Sequence, residues 1–290
     1  IEGGQIQGML TDSTNVMVYK GIPYAAAPVG DLRWKRPQPV VAWEGVRQCD
    51  KWGNASLQSD HNPGEFYTEE FYFGGDPARS EDCLYLNVWA PAQTVGKTDA
   101  KLPVAFWVHG GAYMGGWGHE ITMDGDAWAT RGVILVTINY RLGMMGFLSH
   151  PLLAKEDADG VSGNYGTWDQ VAALKWVHKN IAQFGGDPDN ITIFGQSAGA
   201  ASIKNLVTSN ESKKLVSKAI IQSIGGLGEV IPAPAQDVAE NMGKEMMDAA
   251  GLTTLEAMRA ATPEQLDVAF GAFMATGKVQ GLPLVPHIDG

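Results

Sequence analysis

The chain has 290 residues, is 44% hydrophobic and 18% charged, and so has an ordinary globular composition with room for one large α/β domain or two smaller ones. Its 21 basic and 32 acidic residues give a net charge of -11, which argues against nucleic acid and anionic membranes as partners. No apolar run approaches a membrane span, and the opening IEGGQIQGML has neither a Met nor a signal-peptide pattern, which suggests a processed or trimmed start.

The N-terminal part, to about Gln58, is rich in Gly and Pro with short alternating stretches such as residues 16–19, and predicts hairpins. Residues 60–80 read as a long surface excursion of aromatic, acidic, Gly and Pro residues. CLYLNVWAP (83–91) predicts a strand. LPVAFWVHG (102–110) and VILVTINYR (133–141) are continuous apolar runs, as expected of strands buried on both faces of a mostly parallel sheet. Thr167 and Gln170 form a T-x-x-Q pattern that predicts a capping box. Val171, Leu174, Val177, Ile181 and Phe184 follow at helical spacing, and Gly185 and Gly186 end the helix. NITIFG (190–195) is the next strand, AGAASIKNLVTS (198–209) a helix and KAIIQS (218–223) a further strand. From about Pro234 the chain turns to short amphipathic helices, expected as a cap or insertion. The division is 1–100 strands and loops, 101–225 catalytic sheet and 226–290 helical excursion, all within one larger domain.

The two cysteines, Cys49 and Cys83, read either as buried thiols or as one disulfide, which would mean an oxidising compartment. They are too few for a zinc site without close histidines, and no metal or cofactor is expected.

Gly195-Gln196-Ser197-Ala198-Gly199 fits G-x-S-x-G, the nucleophile elbow in which a serine sits on a sharp strand-to-helix turn. With twelve serines and 36 glycines, chance supplies about 0.2 such matches, so the bare pattern is weak. Its context is specific: a strand precedes it, a helix follows, and HGGAYMGG (109–116) follows an earlier strand. Backbone N–H groups at a helix start and in a glycine loop are what a developing oxyanion needs.

On these residues the chain resembles the type-B carboxylesterase and cholinesterase family. FGGDPDNITIFGQSAGA is similar to that family's nucleophile signature, EDCLYLNVWAP to its second signature, GIPYAAAPVGDLRW to its N-terminal segment, GNYGTWDQVAALKWVHKNIAQFGGDP to its central helix, and PLVPHIDG to a later segment. The resemblance implies an α/β-hydrolase fold, with helices on both faces of the sheet, and ester hydrolysis through an acyl-enzyme. By position it implies Ser197 as nucleophile, the N–H groups of Gly111, Ala112 and Ala198 as oxyanion donors, and a Cys49–Cys83 disulfide. Ala112 stands where many members have a third glycine. Gly110, Tyr113, Met114 and Trp117 are candidates for the pocket wall, with core packing as the alternative reading of the last three.

A serine needs a base, and in this fold the order is Ser, then Asp or Glu, then His. Of six histidines (His61, His109, His119, His150, His178 and His287) only His287 follows Ser197. The resemblance implies that acid and His both lie beyond residue 290, and that His287, Glu229, Asp237, Asp248 and Asp267 are not triad members. The expectation is the N-terminal part of a longer esterase, with the C-terminal remainder as partner, in the same chain or a separate one, acting on a small-molecule ester. A non-catalytic adhesion relative and an amidase or peptidase on the same fold are the rival readings. The disulfide reading favours a secreted or periplasmic protein; three N-x-S/T triplets, at Asn54, Asn190 and Asn210, carry little weight.

Overall fold

A computed structural model describes residues 1–13, 15–224, 231, 233–278 and 281–289. The elements in chain order are β1 (Gln5–Gln7), β2 (Met9–Leu10), β3 (Val16–Pro23), β4 (Val46–Gln48), α1 (Phe66–Glu70), β5 (Tyr85–Pro91), β6 (Leu102–Val108), α2 (Asp126–Thr130), β7 (Ile134–Ile138), α3 (Gly143–Phe147), α4 (Pro151–Ala154), α5 (Tyr165–Asn180), β8 (Gly186–Gln196), α6 (Ala198–Thr208), β9 (Lys218–Gln222), α7 (Gln236–Ala249), α8 (Leu255–Ala260) and α9 (Pro263–Ala275).

Seven strands form one sheet in the order β2-β3-β5-β7-β6-β8-β9, and β1 pairs with β4 beside it. The sheet is mixed. β2, β3, β5 and β7 pair antiparallel, while β7, β6, β8 and β9 pair parallel. The parallel half follows from its sequence, because its apolar runs bury both faces. In β6, Val104, Phe106 and Val108 enter the larger core cluster, while Ala105 and Trp107 enter a smaller one on the other face. β7 alternates likewise, with Ile134, Val136 and Ile138 in the larger cluster and Leu135 in the smaller. α5 and α6 cover the larger cluster with Val171, Leu174, Trp176, Ile203 and Leu206; Ala129 of α2 covers the other.

The C-terminal helices join the same core through Met246, Met247, Met258, Leu266 and Phe273. Arg33 ties them to the N-terminal segment. Its guanidinium pairs with Glu81 and donates to the carbonyls of Arg259 (2.9 Å) and Ala261 (2.7 Å) at the end of α8. α9 opens with a capping box, Thr262 with Gln265, and Pro263 in its first turn.

Two expectations are corrected. The central helix starts at Tyr165, with Asn164 in the left-handed region (φ 52°) as its cap, so Thr167 and Gln170 lie inside it. The Gln170 amide instead donates to Ser202 Oγ (3.0 Å), pinning α5 to α6. Nor are Cys49 and Cys83 bridged: both are free, buried thiols. The two thiols sit in different surroundings: Cys83 bonds to the Ser56 side chain and lies near Arg141 and Asp169, whereas Cys49 lies near Arg47 and Asp50.

β6 is central, and the chain leaves it for β7 on one side while β8 lies on the other. The carboxyl ends of β6 and β8 therefore meet at a topological switch point, where open α/β sheets hold their ligands.

Candidate active site

The turn from β8 to α6 is sharp. Ser197 caps α6 with φ 56° and ψ -123°, a combination that non-glycine residues rarely adopt. Small neighbours permit it. A Cβ on Gly195 would lie 2.6 Å from the Gly199 carbonyl carbon and 2.8 Å from the Val108 carbonyl oxygen. A Cβ on Gly199 would strike that same oxygen. The turn is held from outside by the Ser197 N–H, which donates to the carbonyl of Gln222 in the residue row of β9 (2.9 Å). Ser197 is half-buried, and its hydroxyl has no hydrogen-bond partner among the described residues.

The loop after β6 lies directly against it. A Cβ on Gly110 would sit 2.7 Å from the Gln196 carbonyl and 3.3 Å from the Ser197 Cβ. The loop then winds through four positive φ angles: Gly111 (97°), Ala112 (56°), Tyr113 (61°) and Gly116 (102°). Its other backbone groups are largely satisfied. The N–H groups of Met114 and Gly115 donate to the Gly111 carbonyl, and that of Gly143 to the Tyr113 carbonyl (2.7 Å). By contrast, the N–H groups of Gly111 and Ala112 have no acceptor among the described residues. Ala198 is the first residue of α6, where an N–H has no intrahelical partner. A backbone donor costs free energy when left unpaired, so these N–H groups call for an acceptor.

The remaining sequence candidates divide. Tyr113 is buried, its ring 5.0 Å from that of Phe147, and it edges a cavity shared with Trp168, Val171 and Ala201. Met114 edges a different cavity of about 280 Å³ with His61, Gly115 and Leu142. Trp117 is buried, packs on Tyr72 (4.8 Å) and lines a third space with Trp52, Glu120 and Met123. Behind the loop, His109 stacks on Tyr140 (4.4 Å), and its Nδ1–H donates to the Gly110 carbonyl (2.8 Å). Burial pushes the imidazole down to about 4, so it is neutral at pH 7.

No histidine among the described residues bonds to Ser197. His287 is buried against Gly163 and Asn164, its backbone N–H donates to Asn164 Oδ1 (3.0 Å), and neither ring nitrogen has a hydrogen-bond partner among the described residues. His61 pairs with Asp76, and His150 caps α4. His178 sits in the last turn of α5. Asp237, Asp248 and Asp267 are solvent-exposed, and Glu229 lies outside the described residues.

Two groups near the loop carried no sequence signal. Gln58 holds Gly116 across 58 positions of sequence, and Glu120 accepts the Trp117 N–H (3.3 Å). Neither residue lies in a recognisable motif, and only the folded contact identifies them.

The sequence profile of the carboxylesterase family matches residues 1–290. The chain belongs to this family. Similar family members include the fumonisin B1 esterase of Sphingopyxis macrogoltabida, 47% identical over 77% of this chain and 39% of its own length. The para-nitrobenzyl esterase of Bacillus subtilis is 45% identical over 76% and 42%. The solved carboxylesterase of Geobacillus stearothermophilus superposes with a TM-score of 0.81 at 40% identity, covering 99% of this chain and 55% of that one. This chain thus spans about half the length of its carboxylesterase relatives, and its fold is that of the α/β-hydrolase carboxylesterases.

Proposed function

We propose that this chain carries the nucleophile and oxyanion groups of a serine carboxylesterase. Ser197 Oγ adds to the ester carbonyl carbon, and its proton passes to a histidine. The carbonyl oxygen, now an oxyanion, is held by the N–H groups of Gly111, Ala112 and Ala198. Collapse expels the alcohol, which takes up the proton, and leaves an acyl-serine; water then releases the acid by the reverse proton path. The observation that carries this reading is the positive-φ serine placed against a loop with two free N–H groups.

The histidine and its acid come from a segment outside residues 1–290, since none of the six histidines bonds to Ser197 among the described residues. The open edge of the sheet supports this. All five residues of β9 are exposed, Ile220 and Ile221 included, which is unusual for a strand continuing a buried parallel sheet. The remainder of the protein, in the same chain or a separate one, completes both sheet and triad. The substrate class is a small carboxylic ester. The intact elbow supports catalysis over a purely adhesive role, and the esterases among the relatives support ester over amide cleavage.

Among the described residues no helix is long and apolar enough to cross a membrane. The secreted or periplasmic expectation loses its support in the cysteine pair, which is unbridged.

The test compares hydrolysis of a small neutral ester, and of the matching amide, by the complete protein and by residues 1–290 alone. The complete protein should cleave the ester far faster than the amide, and the isolated segment should be slower by several orders of magnitude. Full activity in the isolated segment would contradict the missing-triad reading and direct attention to His287.

A further inference from the structure

The loop 110–116 carries non-glycine residues in left-handed conformations, which are costly and persist only where the surroundings enforce them. The enforcing contacts can be counted. At its start the loop is fixed by β6 and by the Tyr140 hydroxyl, which donates to the His109 carbonyl (2.9 Å). In the middle it is fixed by the Gly143 N–H on the Tyr113 carbonyl. At its far end both backbone groups of Gly116 go to one side chain. Gln58 Oε1 accepts the Gly116 N–H (2.8 Å), and Gln58 Nε2 donates to the Gly116 carbonyl (3.0 Å). Only this orientation of the carboxamide satisfies both, so the amide is read like a neighbouring peptide.

Gln58 is itself anchored. Its Nε2 also donates to the Ser56 carbonyl (3.0 Å), and Ser56 Oγ accepts the Leu142 N–H (3.0 Å). Its own carbonyl accepts from Arg79 Nη1 (3.2 Å), and Arg79 pairs with Asp60 and Asp76. Gly116 has no slack on its other side, where a Cβ would meet His109 Nδ1 at 2.5 Å and Glu120 Oε1 at 3.1 Å.

We propose that Gln58 is the positioning residue of the oxyanion loop: by clamping both backbone groups of Gly116 it holds the N–H groups of Gly111 and Ala112 in place beside Ser197. This rests on the serine-esterase reading above. A displacement of about 1 Å in such donors costs on the order of 100-fold in rate, so the clamp acts on kcat more than on substrate binding.

The test uses the complete protein and two variants. Gln58→Glu is nearly isosteric. Its carboxylate accepts the Gly116 N–H but sets a negative oxygen against the Gly116 carbonyl; its protonated form restores the donor. Gln58→Leu can do neither at any pH. The readouts are kcat and KM for a neutral ester between pH 5 and 8, taken as ratios to wild type at each pH. The ratio removes what His61, His109, Asp60, Asp76, Arg79 and Glu120, the charged and ionisable groups around the clamp, contribute in common to variant and wild type. The expected result is a kcat at least about 10-fold below wild type at pH 8 for both variants, with KM little changed. For Gln58→Glu alone the ratio rises toward wild type as the pH falls from 8 to 5, because the fraction of protonated carboxyl that can donate grows. Either variant holding kcat within twofold of wild type at pH 8, or Gln58→Glu losing activity by the same factor at every pH, would overturn the proposal. Failure of the underlying reading looks different: wild type itself would then not react with a fluorophosphonate at Ser197.

Discussion

Gly110 and Ser197 touch across the switch point of the sheet: a Cβ at Gly110 would stand 3.3 Å from the Ser197 Cβ and 2.7 Å from the Gln196 carbonyl. The carbonyl is fixed by β8, so an added methyl must push the loop away. Gly110→Ala in the complete protein should lower kcat at least about 10-fold while leaving the melting temperature within a few degrees, because only the loop has to move. Gly199→Ala drives a methyl into the Val108 carbonyl inside the sheet–helix contact. It should instead lower the melting temperature or the soluble yield. Steady-state kinetics beside thermal unfolding separates the two; equal losses of stability in both would count against a loop-specific role for Gly110.

Arg141 and Asp169 form a sealed pair, with side-chain exposures of 2% and 0%. Arg141 Nε and Nη2 donate to the two carboxylate oxygens at 2.8 and 2.7 Å, and the Arg141 N–H adds a third bond at 3.0 Å. Asp169→Asn leaves the guanidinium buried without a counter-charge, and should cost about 3–5 kcal/mol in urea unfolding. The exposed pair Lys175–Glu211 offers the contrast. Breaking it with Glu211→Gln should change stability by no more than about 0.5 kcal/mol.

Glu120 should make stability fall as pH rises. Burial pushes its carboxyl from 4.5 up to about 7, against the opposing bond from the Trp117 N–H. Between those two values the folded protein holds a proton that the unfolded chain has released, so raising pH favours unfolding until both are ionised. Glu120→Gln removes this term. The variant should match wild type near pH 4.5 and gain on it up to pH 7, to a ceiling of about 3 kcal/mol at pH 8. His109 and His119, which burial pushes down to about 4, act in the opposite sense and lose stability as pH falls below 6.5. They are present in both proteins and cancel. Denaturation midpoints across pH 4.5–8 check this; a constant offset at every pH would contradict it.

The cysteines should be silent in the native state. Burial pushes the Cys49 thiol up to about 11 and Cys83 higher still, which starves both of the thiolate that reacts. A thiol reagent at pH 8 should find neither in the folded protein and both after denaturation, with no prior reduction. Reducing agent should leave the melting temperature unchanged. A requirement for reductant before the thiols appear would restore the bridge.

The sequence made the parallel half of the sheet legible because those strands are buried on both faces: LPVAFWV and ILVTI can hardly be anything else. Ser197 was legible for a related reason, since the elbow needs small residues at fixed offsets along one stretch of chain. The start of α5 was misread because Thr167 and Gln170 have the right spacing for a cap, yet tertiary contacts of Asn164 and Gln170 decide the helix start. The cysteine pairing was misread because similarity of motifs does not carry the tertiary neighbours: the Cys83 thiol faces Ser56, not Cys49. Gln58 was invisible because its partner Gly116 lies far along the chain, and a lone glutamine before a polar excursion has no pattern to distinguish it.

The central claim is that Ser197 is the nucleophile. It is tested most directly by treating the complete protein with a fluorophosphonate probe and locating the adduct by peptide mass. A single adduct on the peptide containing Ser197 is expected, in parallel with loss of ester hydrolysis and absent from Ser197→Ala. Undiminished hydrolysis by Ser197→Ala, or an inactivating adduct on another residue, would contradict it.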